Sequence, residues 1–221
     1  MSSYRLNTKY SFIFYLFIAI LLLNIPLISI PFKWFESFFH EISHGLAALL
    51  SGGSIEKIQL FPNGAGLCTT RGGSRFLISF MGYAGAALWG IFIYMIASSH
   101  HRIAQGLSLF LMALLVITLI FWSTDILTWI ILSCLLILMF FQIKLYRFKS
   151  LQNIIKVLGL TVLLNAVQSP LYLLDGRSIG DGASLANITY IPEIFWVLLW
   201  CFMGLYGLYR LSRYNIKNHR G

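Results

Sequence analysis

The chain has 221 residues, of which 58% are hydrophobic and only 10% charged, and its mean hydropathy is +0.80. Soluble globular domains carry about 25% charged residues, so this composition excludes that class and predicts a polytopic membrane protein. Basic residues at the ends of apolar runs and in the C-terminal tail give a net charge of +9. Topology control and lipid headgroups explain that placement, and we expect no nucleic-acid partner.

Seven apolar segments of helical length follow one another along the chain. The first comes after Arg5 and Lys9 and lacks an Ala-x-Ala cleavage signal, which predicts an uncleaved signal anchor. Pro26, near the end of the first, is expected to bend it, and the second predicted helix stops at Gly52-Gly53. In the third, Gly82, Ala86 and Gly90 are spaced four residues apart, a small-residue stripe that predicts close helix packing. The predicted helices cover residues of about 10–31, 33–50, 76–98, 103–123, 125–145, 153–174 and 192–212.

Residues 54–73 separate the second and third predicted helices and have a different pattern. Short β-like runs flank Asn63-Gly64, and glycines lie at both ends of the segment. An Asn-Gly pair between such runs is a strong hairpin signal, although an ordinary loop is the alternative. The edge of such a hairpin can accept an extended peptide by strand addition. The fold class predicted is therefore all-α, with six to seven transmembrane helices and one short β-hairpin.

The pentapeptide His40-Glu41-Ile42-Ser43-His44 lies in the second apolar segment and carries the clearest chemistry. On a helix, His40 and His44 are one turn apart on the same face and can bind one Zn²⁺ together. Zinc lowers the pKa of a bound water to about 7, and Glu41 is placed to take its proton. Ionisable groups inside a membrane segment are functional by default. The pattern predicts hydrolysis of an amide bond.

A catalytic zinc usually has three protein ligands, so His40 and His44 need a partner. The candidates are Asp175, which follows an apolar run, and Asp181, six residues later. Glu36 is one turn before His40 and is either an outer-shell group or a solvated residue at the helix start. His100 and His101 lie beside Arg102 in a short loop and are predicted at the surface.

Six short motifs then occur in a fixed order along the chain. They are His40–Ala47, Arg71-Gly-Gly-Ser74, Gly82-Tyr-Ala-Gly85, Asp175, Asp181-Gly-Ala-Ser-Leu-Ala186 and Ile191-Pro192. In this order they resemble the site-2-protease (M50) intramembrane metalloproteases, and most closely their compact M50B-like bacterial branch. The resemblance covers residues of about 40–195, and the ordered set is more specific than the histidine motif alone.

The resemblance implies an intramembrane zinc metalloprotease that cleaves membrane-protein or peptide substrates in the lipid bilayer. His40 and His44 become zinc ligands and Glu41 the general base. Asp175, in a Leu-Asp-Gly triplet, becomes the third ligand, with Asp181 as the alternative. The location implied is a multi-pass protein of the bacterial inner membrane.

One departure from the family pattern concerns Asn165 and Pro170. The family has adjacent Asn-Pro close to its Leu-Asp-Gly, whereas these two residues are separated and further upstream here. A substrate-binding role for Asn165 is weakened, and a hydrogen bond between helices is the simpler prediction.

Topology offers a choice between six and seven crossings. If every helix spans fully, His40 and Asp175 meet only if both lie deep in the membrane. If the helix with the histidines enters partway and returns, both lie on one side. The six-crossing arrangement also places Arg102, residues 144–156 and the C-terminal tail together in the cytoplasm, as the positive-inside rule favours.

We expect one integral-membrane metallopeptidase domain over residues 1–221. It comprises a signal anchor (1–31), a catalytic core (33–190) and a C-terminal helix (192–213). Two rival functions remain open: a non-catalytic membrane scaffold or chaperone with the same fold, and a zinc hydrolase of a non-protein amide. A transporter is less favoured because no inverted repeat is evident. The sequence carries no signal for an oligomeric state.

Overall fold

The computed structural model describes residues 2–145 and 148–217. Of the predicted cytoplasmic charges, Arg147 and Arg220 lie outside these ranges. The described part of the chain forms eight α-helices, one 3₁₀ turn and one hairpin. The elements are α1 (Ser2–Asn24), α2 (Pro26–Leu50), β1 (Ser54–Leu60), β2 (Gly66–Arg71), α3 (Arg75–Ala97), α4 (His101–Phe121), α5 (Ile126–Leu145), α6 (Phe148–Gln168), the 3₁₀ turn (Ser169–Leu174), α7 (Asp181–Thr189) and α8 (Glu193–Lys217).

Five helices in the described residues are long and apolar enough to cross a membrane. They are α3, α4, α5, α6 with its 3₁₀ extension, and α8. A sixth crossing results if α1 and α2, which meet at a bend of 107°, count as one broken or re-entrant span. The predicted fold class is therefore confirmed, and the crossing count agrees with the six-crossing arrangement.

The break between α1 and α2 differs from the predicted boundary. Pro26 was predicted to bend the first helix, and the second helix was predicted to begin near residue 33. In the structure α1 ends at Asn24, Ile25 is extended, and Pro26 opens α2. A proline fits the first turn of a helix, where its missing N–H would be unpaired, and it forces the preceding residue out of the helical region. Pro26 therefore begins a helix rather than bending one.

The predicted hairpin is confirmed, and its outer edge is tied to the α4–α5 connection. β1 and β2 pair antiparallel, with Ile58 opposite Cys68. On the other edge of β1, the Ile58 N–H donates to the Trp122 carbonyl at 2.7 Å, and the Leu60 N–H donates to Thr128 Oγ1 at 2.8 Å. These bonds occupy the β1 edge, so the unpaired edge of the described two-stranded sheet belongs to β2.

Helix α3 lies between α2 and α6 and packs closely on both. The sequence stripe Gly82, Ala86, Gly90 predicted such close packing, and the structure confirms it. A Cβ at Gly90 would lie 2.8 Å from the Cβ of Leu163 on α6, whereas Gly82 lies against the α2 histidines. Small residues thus let one helix contact two partners, which fixes α6 and α2 relative to each other.

The segment after α6 is more broken than predicted. A continuous helix was expected to residue 174, but α6 ends at Gln168 and a 3₁₀ turn follows. Pro170 lacks the N–H that a continuing α-helix would use. The short helix α7 was not predicted, and α8 begins one residue after Pro192. Asn165 Nδ2 donates to the Phe32 carbonyl at 3.4 Å, the predicted bond between helices.

Candidate metal centre

The two histidines of the pentapeptide point to one place from α2. Their Nε2 atoms are 3.0 Å apart, and the rings meet edge to face with centroids 4.7 Å apart. His44 is buried and His40 is nearly so, because α3 and the hairpin cover this face of α2. The i, i+4 spacing of the sequence thus gives the shared face that metal binding by two imidazoles requires.

Asp181 brings a carboxylate to the two imidazoles. Its Oδ2 lies 3.2 Å from His40 Nε2 and 3.2 Å from His44 Nε2. Asp181 is the first residue of α7, and Gly180 before it has φ +108° and ψ −164°, a conformation open almost only to glycine. The turn at Gly180 therefore directs the start of α7, and with it the Asp181 side chain, into the site.

Gly82 on α3 lets a third helix close over the site. A Cβ at this position would lie 2.5 Å from His44 Nε2 and 2.7 Å from His40 Nε2. No larger residue fits unless α3 or the rings move. The predicted small-residue position therefore packs directly against the metal-binding atoms.

The three donor atoms fit a zinc ion. A tetrahedral zinc with ligands at about 2.0–2.1 Å holds neighbouring ligand atoms about 3.3 Å apart. The three observed separations are 3.0, 3.2 and 3.2 Å. Two imidazole nitrogens and one carboxylate oxygen are a donor set that zinc enzymes use. Hydrogen bonding among the three groups would give similar distances, and zinc analysis of the purified protein distinguishes the two.

The two histidines differ at their other ring nitrogen. Nδ1 of His44 lies 2.7 Å from the Ile78 carbonyl, which fixes the ring and leaves Nε2 for a ligand bond. Nδ1 of His40 is buried and has no hydrogen-bond partner among the described residues. The His40 ring packs edge-on against Tyr83, with centroids 4.3 Å apart. His44 is thus held by a hydrogen bond, and His40 by ring packing.

The side chain of Glu41 points from α2 toward the hairpin, and the residue is 4% exposed. The backbone N–H of Cys68 on β2 hydrogen-bonds to its carboxyl group. A Cβ at Gly66 would lie 2.5 Å from Glu41 Oε1, so the start of β2 passes directly over this carboxyl. The hairpin therefore sets the position of Glu41 beside the histidines.

A cleft of about 740 Å³ opens onto the site. This volume lies within the range of about 300–1,000 Å³ typical of ligand pockets. Its walls come from α2, the hairpin turn, α3, and the end of α6 with the segment that follows. Lining residues include Glu36, Ser37, His40, Glu41, Gly66 and Tyr83. The cleft therefore gives a molecule access to both His40 and Glu41.

Asp175, which the sequence ranked first as third ligand, is elsewhere in this cleft. Its carboxylate accepts hydrogen bonds from the Arg177 N–H at 2.9 Å and Nε at 2.6 Å. The side-chain and then the backbone hydrogen bond of Arg177 lower the pKa of Asp175. Among the described residues, the group that could hold a metal ion is His40, His44 and Asp181. The structure thus places Asp181 and not Asp175 at the histidines, because a two-residue turn pairs Asp175 with Arg177. Which aspartate binds a metal stays a prediction.

Two contacts at the site were missed from sequence. The Ile78 carbonyl is a backbone atom and leaves no trace in a side-chain pattern. Tyr83 belongs to the Gly82-Tyr-Ala-Gly85 motif quoted for the family resemblance, but the tyrosine itself was given no role. A tyrosine directly after the glycine that faces the histidines was the available signal.

This helical membrane fold, with a His-Glu-x-x-His helix and an aspartate from a distant segment meeting at one cleft, defines the class of membrane-embedded metallopeptidases. The family model described as Peptidase M50B-like matches residues 13–210. The chain therefore belongs to the Peptidase M50B-like family, within the M50 zinc enzymes. With its five to six apolar helices, this indicates a multi-pass integral membrane protein. No curated protein and no solved structure shows significant similarity to the chain.

Proposed function

We propose that this protein is an intramembrane zinc metalloprotease that hydrolyses peptide bonds of membrane-protein substrates. The observation that supports this most is the convergence of three donor atoms at zinc-like spacing, with Glu41 beside them in an open cleft. Membership of the M50B-like family supports the same reaction class.

In this proposal His40, His44 and Asp181 hold the zinc. When bound, zinc lowers the pKa of a water to about 7 and polarises a substrate carbonyl. The Ile78 carbonyl orients His44, and Asp181 supplies the negative charge that balances part of the cation. Asp175, bonded to Arg177, takes no part in ligation.

Glu41 is the proton carrier of the proposed reaction. It takes a proton from the attacking water and passes it to the leaving amine as the peptide bond breaks. Its burial and its hydrogen bond from Cys68 hold it in one position. A fixed carboxyl group needs little reorganisation when the proton moves, which favours catalysis.

The free edge of β2 is the proposed docking site for the substrate backbone. The β1 edge is occupied by Trp122 and Thr128, whereas β2 begins at Gly66 beside Glu41. A peptide that adds to this edge lies extended along the cleft. A transmembrane helix hides its carbonyl groups in its own hydrogen bonds, so the substrate segment must unwind locally first. The edge favours a peptide over a lipid-linked amide.

The test is the variant Glu41→Gln in proteoliposomes, assayed on single-pass membrane proteins and quenched fluorescent peptides. We expect cleavage to fall by roughly 10²–10⁴-fold, because the variant cannot accept the proton, while zinc content stays near wild type. Glu56→Gln, the same chemical change at an exposed position of β1, is the control and keeps both properties.

Undiminished cleavage by Glu41→Gln would refute the role of Glu41. A wild-type protein that holds zinc but cleaves no peptide would instead support a scaffold function or hydrolysis of a non-protein amide.

A further inference from the structure

We infer that Glu36 is a positioning residue for the metal centre, and that its carboxylate accepts a hydrogen bond from the Nδ1–H of His40. This inference rests on the metal centre of the proposed function. It extends that centre by an outer-shell group that touches a ligand, not the metal or the substrate.

The first observation is that only one of the two histidines has a hydrogen-bond partner at Nδ1. Nδ1 of His44 meets a carbonyl at 2.7 Å, whereas Nδ1 of His40 is buried without a partner in the described structure. A histidine that binds a metal through Nε2 carries its proton on Nδ1 and almost always donates it. Nδ1 of His40 therefore lacks the hydrogen-bond acceptor that Nδ1 of His44 has.

The second observation is an unpaired acceptor one helical turn away. Glu36 precedes His40 by four residues, so both side chains lie on one face of α2. Glu36 is only 6% exposed, and its Oε1 has no hydrogen-bond partner among the described residues. Both residues line the same cleft. The unpaired Nδ1 of His40 and the unpaired Oε1 of Glu36 thus belong to side chains on one helix face and in one cleft.

Physical chemistry favours their pairing once a cation is present. A buried carboxylate oxygen without a hydrogen bond is costly, and so is a buried N–H without an acceptor. A hydrogen bond between them satisfies both groups, fixes the His40 ring with Nε2 toward the ion, and makes Nε2 more basic. The positive charge of the ion also offsets the clustering of Glu36, Glu41 and Asp181, so this pairing ties metal binding to the otherwise unexplained burial of Glu36.

Ser37 is the competing acceptor, because its Oγ is also buried and unpaired. It faces the hairpin, since a Cβ at Gly66 would lie 2.7 Å from Ser37 Oγ and 2.5 Å from Glu41 Oε1. The Glu36 carboxyl instead interacts with Ser169 on the 3₁₀ turn. The two side chains thus lie on different sides of the cleft, and Ser37→Ala is a matched control.

The experiment measures zinc affinity by chelator competition for full-length wild type, Glu36→Leu, Glu36→Gln and Ser37→Ala in detergent. We expect about 10–100-fold weaker binding for Glu36→Leu. The loss is smaller for Glu36→Gln, because the amide oxygen still accepts a hydrogen bond. Ser37→Ala binds like wild type. Thermal unfolding of the metal-free proteins separates this effect from a general loss of fold.

A spectroscopic readout reports on the bond itself. In histidine-labelled, zinc-loaded wild type, ¹H–¹⁵N NMR should show an Nδ1 proton of His40 protected from exchange. Glu36→Leu should lose that protection and Ser37→Ala should keep it. Wild-type affinity and protection in Glu36→Leu would overturn the inference and leave the metal centre intact. Loss of cleavage with unchanged zinc affinity in Glu36→Leu would also overturn it, and would place Glu36 at the substrate.

Discussion

Asp175 and Asp181 lie only six residues apart and end up in different surroundings. Asp175 caps the 3₁₀ turn and pairs with Arg177, whose side chain is 76% exposed. Asp181 opens α7 and lies 3.2 Å from both histidines, with a side chain 17% exposed. The difference comes from the backbone between them, where Gly176 and Gly180 both have positive φ and turn the chain. The turns of the backbone, and not the triplet around each aspartate, decide which carboxylate reaches the two histidines.

The largest expected effect comes from removing one carboxylate at a time. Asp181→Ala should abolish zinc binding, because two imidazoles alone leave the ion with too few protein ligands. Asp175→Ala should keep about one zinc per chain. Metal analysis by mass spectrometry of detergent-purified wild type and both variants checks this. Zinc lost in Asp175→Ala and kept in Asp181→Ala would reverse the comparison. A wild type without zinc would make the His-His-Asp group a hydrogen-bonded cluster.

An intermediate effect is expected from the two glycines. Gly180→Ala should strain the turn by roughly 1–3 kcal/mol and displace Asp181. If this strain falls on the zinc-bound form of the protein, zinc binding weakens by about 5–150-fold. Gly176 has φ +83° and open space around it, so Gly176→Ala strains only the Asp175 turn.

Chelator competition on the two glycine variants measures the difference directly. Equal zinc affinity in Gly180→Ala and Gly176→Ala would show that the turn at Gly180 does not set the position of Asp181.

The smallest effect is expected at Arg177. Its side chain lowers the pKa of Asp175, so the pair stabilises the folded state above the ordinary aspartate value of 3.8 and loses that contribution as the pH falls below it. Because the pair is exposed, solvent screens it, and Arg177→Gln should leave zinc content unchanged and lower the pH 7 melting temperature only slightly.

Melting curves of wild type and Arg177→Gln between pH 3 and 8 test this, with any difference confined to pH values above about 4 and vanishing at the acidic end. A clear loss of zinc at neutral pH in Arg177→Gln would connect the Asp175 segment to the metal centre after all.

Much of the fold followed from local pattern. The apolar runs predicted the membrane helices, and Asn63-Gly64 with its flanking glycines predicted the hairpin. The local sequence pattern gave wrong helix boundaries at two prolines. Pro26 begins α2 instead of bending α1, and Pro170 ends α6 earlier than its apolar composition suggested. The nine-residue helix α7 was missed because it is too short to show a clear period.

The sequence by itself determined the half of the site that a single helix can build. His40, Glu41 and His44 share α2, and the spacing of four residues brings two imidazoles to one face in any helix. The choice between Asp175 and Asp181, the contact of Tyr83 with His40, and the unpaired Nδ1 of His40 were decided only by the tertiary structure. These depend on how α3, α7 and the hairpin pack against α2, across separations of tens to more than a hundred residues, where no local periodicity carries the information.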